Sequence, residues 1–261
     1  MTPLLRTSVL IILLPLLSSA DVPAARTLPK TASKTSQGQS EAEQEYRQGV
    51  LFTEGNGVPQ DYLLAAKHYR AAAEKGLAAA QYDLGYFYEK GLGVERDLEQ
   101  AAGWYRKAAL QGDPQAQNNL GVLYATGQGV HRDDAQAVNW YRLAAAQNDP
   151  EAANNLGTMY LQGRGVKRDF AQAFQFFLHG AEQGHPVAQR NLAAMYVNGQ
   201  GVARDYVLAY AWLDVASDHI SGCSELRDRI AKEMKPDEIA RAQDLASRKR
   251  TELMQKGTES R

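Results

Sequence analysis

The chain has 261 residues, of which 44% are hydrophobic, and it carries 29 Lys and Arg against 30 Asp and Glu. This near-neutral balance argues against nucleic acid or an anionic membrane surface as a partner bound through overall charge. Cys223 is the only cysteine, so no disulfide can form within the chain and packing must hold the fold together. Its simplest interpretation is a small, partly buried residue.

The first twenty residues have the order of segments found in a secretory signal peptide. Arg6 precedes an apolar stretch over residues 9–17, and small residues follow at positions 18–20. The stretch is much shorter than the roughly 20 residues that span a bilayer, so no stable membrane span is expected after cleavage. We therefore predict an exported protein, most simply a periplasmic one, with secretion beyond the periplasm as the alternative.

A repeat with a period of 36 residues occupies most of the remaining chain. The tetrapeptide Gly-x-Gly-Val begins at Gly55, Gly91, Gly127, Gly163 and Gly199. An alanine follows ten residues after each first glycine, and three positions later a pair begins that is aromatic in the first four units, as in Trp104-Tyr105, and is Trp212-Leu213 in the fifth. Self-similarity at this period indicates a repeat protein whose units bury their apolar faces against one another.

The first half of each unit has the spacing of a helix, which we name helix A. Ala80, Leu84 and Tyr88 lie on one helical face, and Asp113-Pro114 suits the start of the next helix A. The Gly-x-Gly-Val loop ends this helix, because glycine allows the positive φ that turns the chain. Gly85 directly follows the core leucine and is expected to permit close approach of a neighbouring backbone.

The second half of each unit, helix B, begins at an aspartate that can cap its first turn. Asp97 is one of five such residues, and Gln100 lies three positions later, where a capping-box partner would stand. The aromatic pair of helix B is expected to fill the space between neighbouring units.

The pattern A-x-x-x-L-G-x-x-Y-x-x-G-x-G-V-x-x-D-x-x-x-A-x-x-W-Y-x-x-A-A is complete over residues 80–109. It resembles the Sel1-like repeat, a relative of the tetratricopeptide repeat with two more residues per unit. Departures at Gln48, His68 and Leu213 fall in the terminal units, which lack a neighbour on one side. Stacking of such units predicts an all-α fold: a right-handed superhelical solenoid of five antiparallel helix pairs with a C-terminal helical cap.

The predicted layout follows from these boundaries. It comprises a signal peptide (1–20), a disordered leader (21–41), five repeats (42–77, 78–113, 114–149, 150–185 and 186–221) and C-terminal capping helices (222–261). The basic run at residues 248–250 is interpreted as a solvated helix face.

The sequence lacks the motifs that would indicate catalysis. The five histidines share no metal-ligand spacing, no Gly-x-Ser-x-Gly occurs, and helices rather than a strand flank the glycine loops. The resemblance implies relatives that bind or cleave β-lactams, but no serine here is followed by lysine three residues on, and those relatives are cysteine-rich. We predict no catalytic residue, no cofactor and no metal; a β-lactam or peptidoglycan hydrolase is the less supported alternative.

A partner-binding surface is predicted on helix A, which lines the concave surface by analogy with tetratricopeptide arrays. Two places on helix A do not hold the same residue in every repeat, although the residues around them recur. The residues at these places form the candidate groove: Tyr82, Tyr86, Asn118, Val122, Asn154, Thr158, Arg190 and Ala194. Asn119, Asn155 and Asn191 keep one repeated place and are interpreted as inter-helix hydrogen-bonding residues. The leading hypothesis is a non-enzymatic scaffold that holds another protein in this groove.

A second candidate surface is a row of arginines that immediately precede the helix-B caps: Arg96, Arg132, Arg168 and Arg204. Each can satisfy local carbonyls or a neighbouring carboxylate. Alternatively, the row can meet an acidic partner or an anionic polymer. The second reading underlies the alternative function, a cell-wall or exopolysaccharide-binding module.

Overall fold

The computed structural model describes residues 37–259, which form helices and turns without any strand. The predicted signal peptide and most of the predicted leader lie outside the described residues. The described chain divides into two compact units, an N-terminal unit (residues 37–147) and a C-terminal unit (residues 148–259). Within residues 37–259, no helix combines the length and the apolar character needed to cross a membrane.

The N-terminal unit contains three consecutive helix pairs. Its helices are α1 (Gln37–Glu54), α2 (Tyr62–Glu74), α3 (Ala78–Lys90), α4 (Leu98–Leu110), α5 (Pro114–Thr126) and α6 (Asp134–Ala145). Each helix packs against the next one along the chain. α1 begins inside the segment assigned to the disordered leader, because burial of Ala42 and Tyr46 against α2 favours a helix that the polar residues before them can extend.

The C-terminal unit contains two helix pairs and two further helices. They are α7 (Pro150–Gln162), α8 (Phe170–Glu182), α9 (Pro186–Asn198), α10 (Tyr206–Ala216), α11 (Cys223–Ala231) and α12 (Pro236–Glu259). α11 and α12 both pack against α10. The predicted all-α architecture of consecutively packed helix pairs is therefore confirmed for the described residues.

The helix boundaries follow the caps that the sequence predicts. Asp97 accepts hydrogen bonds from the backbone N–H groups of Glu99 and Gln100, both at 3.0 Å, and opens α4. At the end of α3, Gly91 adopts φ 73° and donates its N–H to the carbonyl of Phe87 at 2.8 Å. The left-handed turn there costs a glycine little and redirects the chain into the next helix.

The predicted capping box is wrong in one respect. A capping box needs the N–H of the cap residue to bond the side chain three positions on, yet the N–H of Asp97 donates to the carbonyl of Tyr88 at 3.0 Å. The same bond joins Asp133 to Tyr124 at 3.0 Å. Since this bond closes the loop between helices A and B, the cap N–H is already used.

Glycine inside helix A lets helix B lie directly on its backbone. A Cβ added at Gly85 would stand 2.8 Å from the Tyr105 ring, and one at Gly121 would stand 2.6 Å from the Tyr141 ring. The hydroxyl of Tyr105 then reaches Glu89, one turn further along α3, at 2.8 Å. The helical glycines therefore serve close approach, as predicted.

The two members of the helix-B aromatic pair differ in burial, which corrects the expectation that both fill the space between repeats. The second member is enclosed: Tyr105, Tyr141 and Phe177 are each 0% exposed. The first member is only half-buried at Trp104, Trp140 and Phe176, whereas Trp212, which α12 covers, is 2% exposed. Adjacent helical positions point about 100° apart, so one ring enters the repeat interface while the other lies beside it.

The first helix has a polar outer face. Gln44 and Gln48 are exposed at the places that Ala80 and Leu84 hold in the next repeat, where both are fully buried. No preceding repeat covers α1 among the described residues, so polar side chains there avoid exposing apolar surface.

The basic run of α12 docks that helix onto α10, which corrects its interpretation as a solvated face. Arg250 binds the carboxylates of Asp214 at 2.8 Å and Asp218 at 2.7 Å. The hydrogen bond between Arg250 and Asp218 lowers the pKa of the Asp218 carboxyl and raises the pKa of the Arg250 guanidinium. Lys249 lies over the Trp212 ring at 4.0 Å from its centroid, whereas Arg248 pairs with Asp244 on its own helix.

Candidate functional site

The candidate groove of the N-terminal unit lies on α3 and α5. Tyr82 and Tyr86 are 6% and 2% exposed, Asn118 is 1% exposed, and Val122 is half-buried. The Tyr82 ring packs at 5.6 Å from the ring of Tyr105. Tyr82, Tyr86 and Asn118 are therefore largely enclosed, and Val122 offers more surface than they do.

A charged group stands beside these tyrosines. Lys90 lies over the Tyr86 ring at 5.4 Å and pairs with Glu89 at 2.7 Å. Burial, followed by the charge of Glu89, raises the pKa of Tyr105 well above its ordinary value, so this phenol stays protonated and donates to the carboxylate. The arrangement orders Glu89 and Lys90, each about one-fifth exposed, on the surface of this helix layer.

The candidate groove of the C-terminal unit lies on α7 and α9. Asn154, Thr158 and Ala194 are 7%, 4% and 3% exposed, and Arg190 is half-buried. Asn191 donates its side-chain N–H to the side-chain oxygen of Asn154 at 3.0 Å, which joins α9 to α7. Asn191 is thus an inter-helix hydrogen-bonding residue, as predicted, and Asn154 combines a groove position with the same structural role.

The arginine row has local partners. Arg96 donates to the backbone carbonyl of Glu89 at 2.9 Å, and Arg132 binds the carboxylate of Asp134 at 2.9 Å. Arg168 and Arg204 lie over the rings two residues on, both at 5.5 Å. All four remain exposed. Local contacts account for the arginines, and binding of an anionic polymer by them stays a prediction.

A set of glutamines was not recognised from the sequence. Gln81 donates to the carbonyl of Ala73, at the end of the preceding helix B, at 3.1 Å. Its oxygen accepts from Gln111 at 2.8 Å. The same pattern recurs 36 residues on, and that recurrence is the signal that could have revealed these residues as interface hydrogen-bonding groups.

Cys223 lies at the first position of α11 and is fully buried. Burial raises the pKa of its thiol, so the environment does not activate it as a nucleophile. Among the side chains that the structure describes, no group of three or more His, Cys, Asp and Glu is arranged to hold a metal ion.

Stacked helix pairs with repeated caps, turns and interface residues define a helical repeat protein. A family model described as Sel1 repeat matches residues 45–77, 78–113, 114–149, 150–185 and 186–219. The chain belongs to the Sel1 repeat family, whose members are generally protein-interaction scaffolds without catalysis.

Solved structures agree with this assignment. A Sel1 repeat protein from Oxalobacter formigenes is 36% identical, with a TM-score of 0.65 over 70% of this chain and 75% of that one. A protective antigen of uropathogenic Escherichia coli strains is 31% identical, with a TM-score of 0.55 over 81% of this chain. This chain spans 54% of the length of that antigen. A comparison with curated protein sequences found no match.

Proposed function

We propose that this chain is an exported, non-enzymatic scaffold that binds another protein through the helix-A surface of its repeats. The observation that supports this most directly is the contrast between repeated and non-repeated positions. Repeated residues such as Asp97, Gly91 and Tyr105 are explained by caps, turns and packing. At fixed places on helix A, by contrast, Tyr86 and Val122 differ between repeats although the fold around them is the same.

The helix-A surface can offer several kinds of contact at once. In the N-terminal unit it carries the Glu89–Lys90 pair, with Lys90 over the enclosed Tyr86 ring. Val122, which holds the place of Tyr86 in the next repeat, is half-buried. In the C-terminal unit it carries Arg190, which is half-buried. Mixed apolar and polar groups at fixed spacing suit a polypeptide better than a uniform polyanion. The local partners of the arginine row leave the polysaccharide alternative with less support.

The scaffold proposal is tested by comparing variants of the mature protein in pull-down from an envelope extract of the native organism. Val122→Lys and Arg190→Glu change the two least buried of the eight groove positions. Arg132→Gln, outside the groove, is the matched control. We expect at least one protein to be recovered by the wild type and the control but lost with the groove variants. Identical recovery by all variants would contradict the proposal.

Export is tested separately. The N-terminal sequence of the protein recovered from the periplasmic fraction should begin after residue 20. An intact N-terminus in the cytoplasmic fraction alone would refute export while leaving the scaffold proposal open.

A further inference from the structure

The outward face of α10 is covered by α12 of the same chain. Ala246 packs in a cluster with Ala211 and Val215, Lys249 lies over Trp212, and Arg250 binds two carboxylates. The residues covered in this way are Ala211, Trp212, Asp214, Val215 and Asp218. This contact shows which helix-B positions a docked helix uses in this fold.

The equivalent positions of α4 have no such cover among the described residues. They lie 108 residues earlier, which is three repeats of 36, and are Gly103, Trp104, Arg106, Lys107 and Leu110. Leu110 is 72% exposed, and Gly103, Arg106 and Lys107 are also exposed. Of the five places that α12 covers on α10, four are therefore exposed on α4, and the fifth, Trp104, is half-buried.

Gly103 is a helical glycine that the packing of the repeats does not explain. A Cβ at this position would meet no atom within 4 Å, unlike one at Gly85, which would meet the Tyr105 ring at 2.8 Å. Glycine in a helix interior costs about 1 kcal/mol relative to alanine. On α10 the equivalent residue, Ala211, is fully buried against α12. A small residue at Gly103 thus leaves room for another helix to approach the backbone of α4.

The charges indicate what kind of helix fits. Asp214 of α10 receives Arg250 of α12, whereas the equivalent residue of α4 is Arg106. Arg106 donates to the hydroxyl of Tyr124, and both residues border a recess of about 560 Å³ that is also lined by His131 and Asp133, so a partner side chain has space to enter beside the guanidinium. Because the charge at this position is negative on α10 and positive on α4, a helix that docks on α4 is expected to present an acidic residue here.

The tryptophan of α4 already carries a cation of its own. Lys107 lies over the Trp104 ring at 3.6 Å from its centroid, as Lys249 of α12 lies over Trp212. A helix docking on α4 therefore has no need of a lysine, and a carboxylate on that helix would meet both Arg106 and Lys107.

We propose that the outward face of α4 binds an acidic amphipathic helix of a partner protein in the way that the equivalent face of α10 binds α12. This surface is distinct from the helix-A surface of the proposed function. The partner helix places a small residue over Gly103, an apolar residue against Leu110 and carboxylates against Arg106.

The test uses the mature protein and two labelled peptides in fluorescence anisotropy. One peptide has the sequence of residues 236–256, and the other carries Arg248→Glu, Lys249→Glu and Arg250→Glu. We expect the charge-reversed peptide to bind at least about tenfold more tightly than the unchanged one at low salt, and less tightly as salt is added. Gly103→Glu should weaken its binding by at least about tenfold, because it removes the space for a helix and adds a like charge.

The variants separate docking from folding. Gly103→Glu replaces glycine with a better helix former, so its thermal unfolding midpoint, followed by circular dichroism, should equal or exceed that of the wild type. Gln175→Glu, at the equivalent exposed position of α8, is the control and should leave binding unchanged. Equal affinity for the two peptides, or binding unaffected by Gly103→Glu, would overturn the proposal. So would a concentration-dependent dimer that Gly103→Glu dissociates, which would assign the face to a second copy.

Discussion

The N-terminus of α9 offers a test of how an uncharged side chain caps a helix. The equivalent caps of α5 and α7 are Asp113 and Asp149, whose carboxylates accept from backbone N–H groups at 2.8 and 2.7 Å. In α9 the cap is His185, whose Nδ1 accepts the N–H of Ala188 at 3.1 Å. A nitrogen that accepts this bond carries no proton, so the cap exists only in the neutral imidazole.

Burial lowers the pKa of His185 from 6.5 to about 4. A histidine with a lowered folded-state pKa binds more protons when unfolded, so its contribution to stability is complete above pH 6.5 and is lost as the pH falls towards 4. At about 1.36 kcal/mol per tenfold change in proton affinity, lowering the pKa from 6.5 to about 4 corresponds to an upper limit of about 3.4 kcal/mol in the free energy of unfolding. At pH 4.5 most of that loss, about 2.5 kcal/mol, should already be present.

The assay compares the wild type with His185→Asp by urea unfolding between pH 7.5 and 4.5. Both proteins share every other titrating group, so the difference in the free energy of unfolding isolates the cap. As the pH falls from 7.5 to 4.5, we expect the free energy of unfolding of the aspartate variant to rise relative to that of the wild type by up to about 2.5 kcal/mol. An NMR titration of the wild type should find the His185 ring neutral at pH 5. A constant difference between the proteins, or an imidazole that titrates near 6.5, would refute the reasoning.

Two further predictions concern the packing of helical glycines and the ion pairs that hold α12 against α10. Gly85→Ala should destabilise the fold by up to about 2 kcal/mol in denaturant titration, because crowding of the Tyr105 ring outweighs the gain in helix propensity. Gly103→Ala, with open space around its Cβ, should instead stabilise the fold by about 1 kcal/mol. Equal effects of the two changes would contradict the close-approach argument. Arg250→Gln should lower the free energy of unfolding by about 1–2 kcal/mol, since charge-assisted bonds to Asp214 are lost from a partly exposed site. It should also raise the rate of amide hydrogen exchange in α12. Unchanged exchange would show that the ion pairs do not hold this helix.

Much of the fold was predictable because the information lies within a few residues. The cap at Asp97, the turn at Gly91 and the apolar stripe of α3 are local patterns, and their recurrence every 36 residues identifies the architecture. The groove positions could be named from the same register. Their degree of burial could not, since Asn154 is enclosed through its bond to Asn191 from another repeat.

The sequence by itself therefore determined the repeat, the helix boundaries within it other than the start of α1, and its family, because spacing along one chain decides which residues share a helical face. Only the tertiary structure decided which faces are covered. Arg250 meets Asp214 across 36 residues of chain, the buried His185 must remain neutral to cap its helix, and Gly103 lies open where Ala211 is enclosed. These outcomes depend on which helix lies against which, and periodicity along the chain carries no information about that contact.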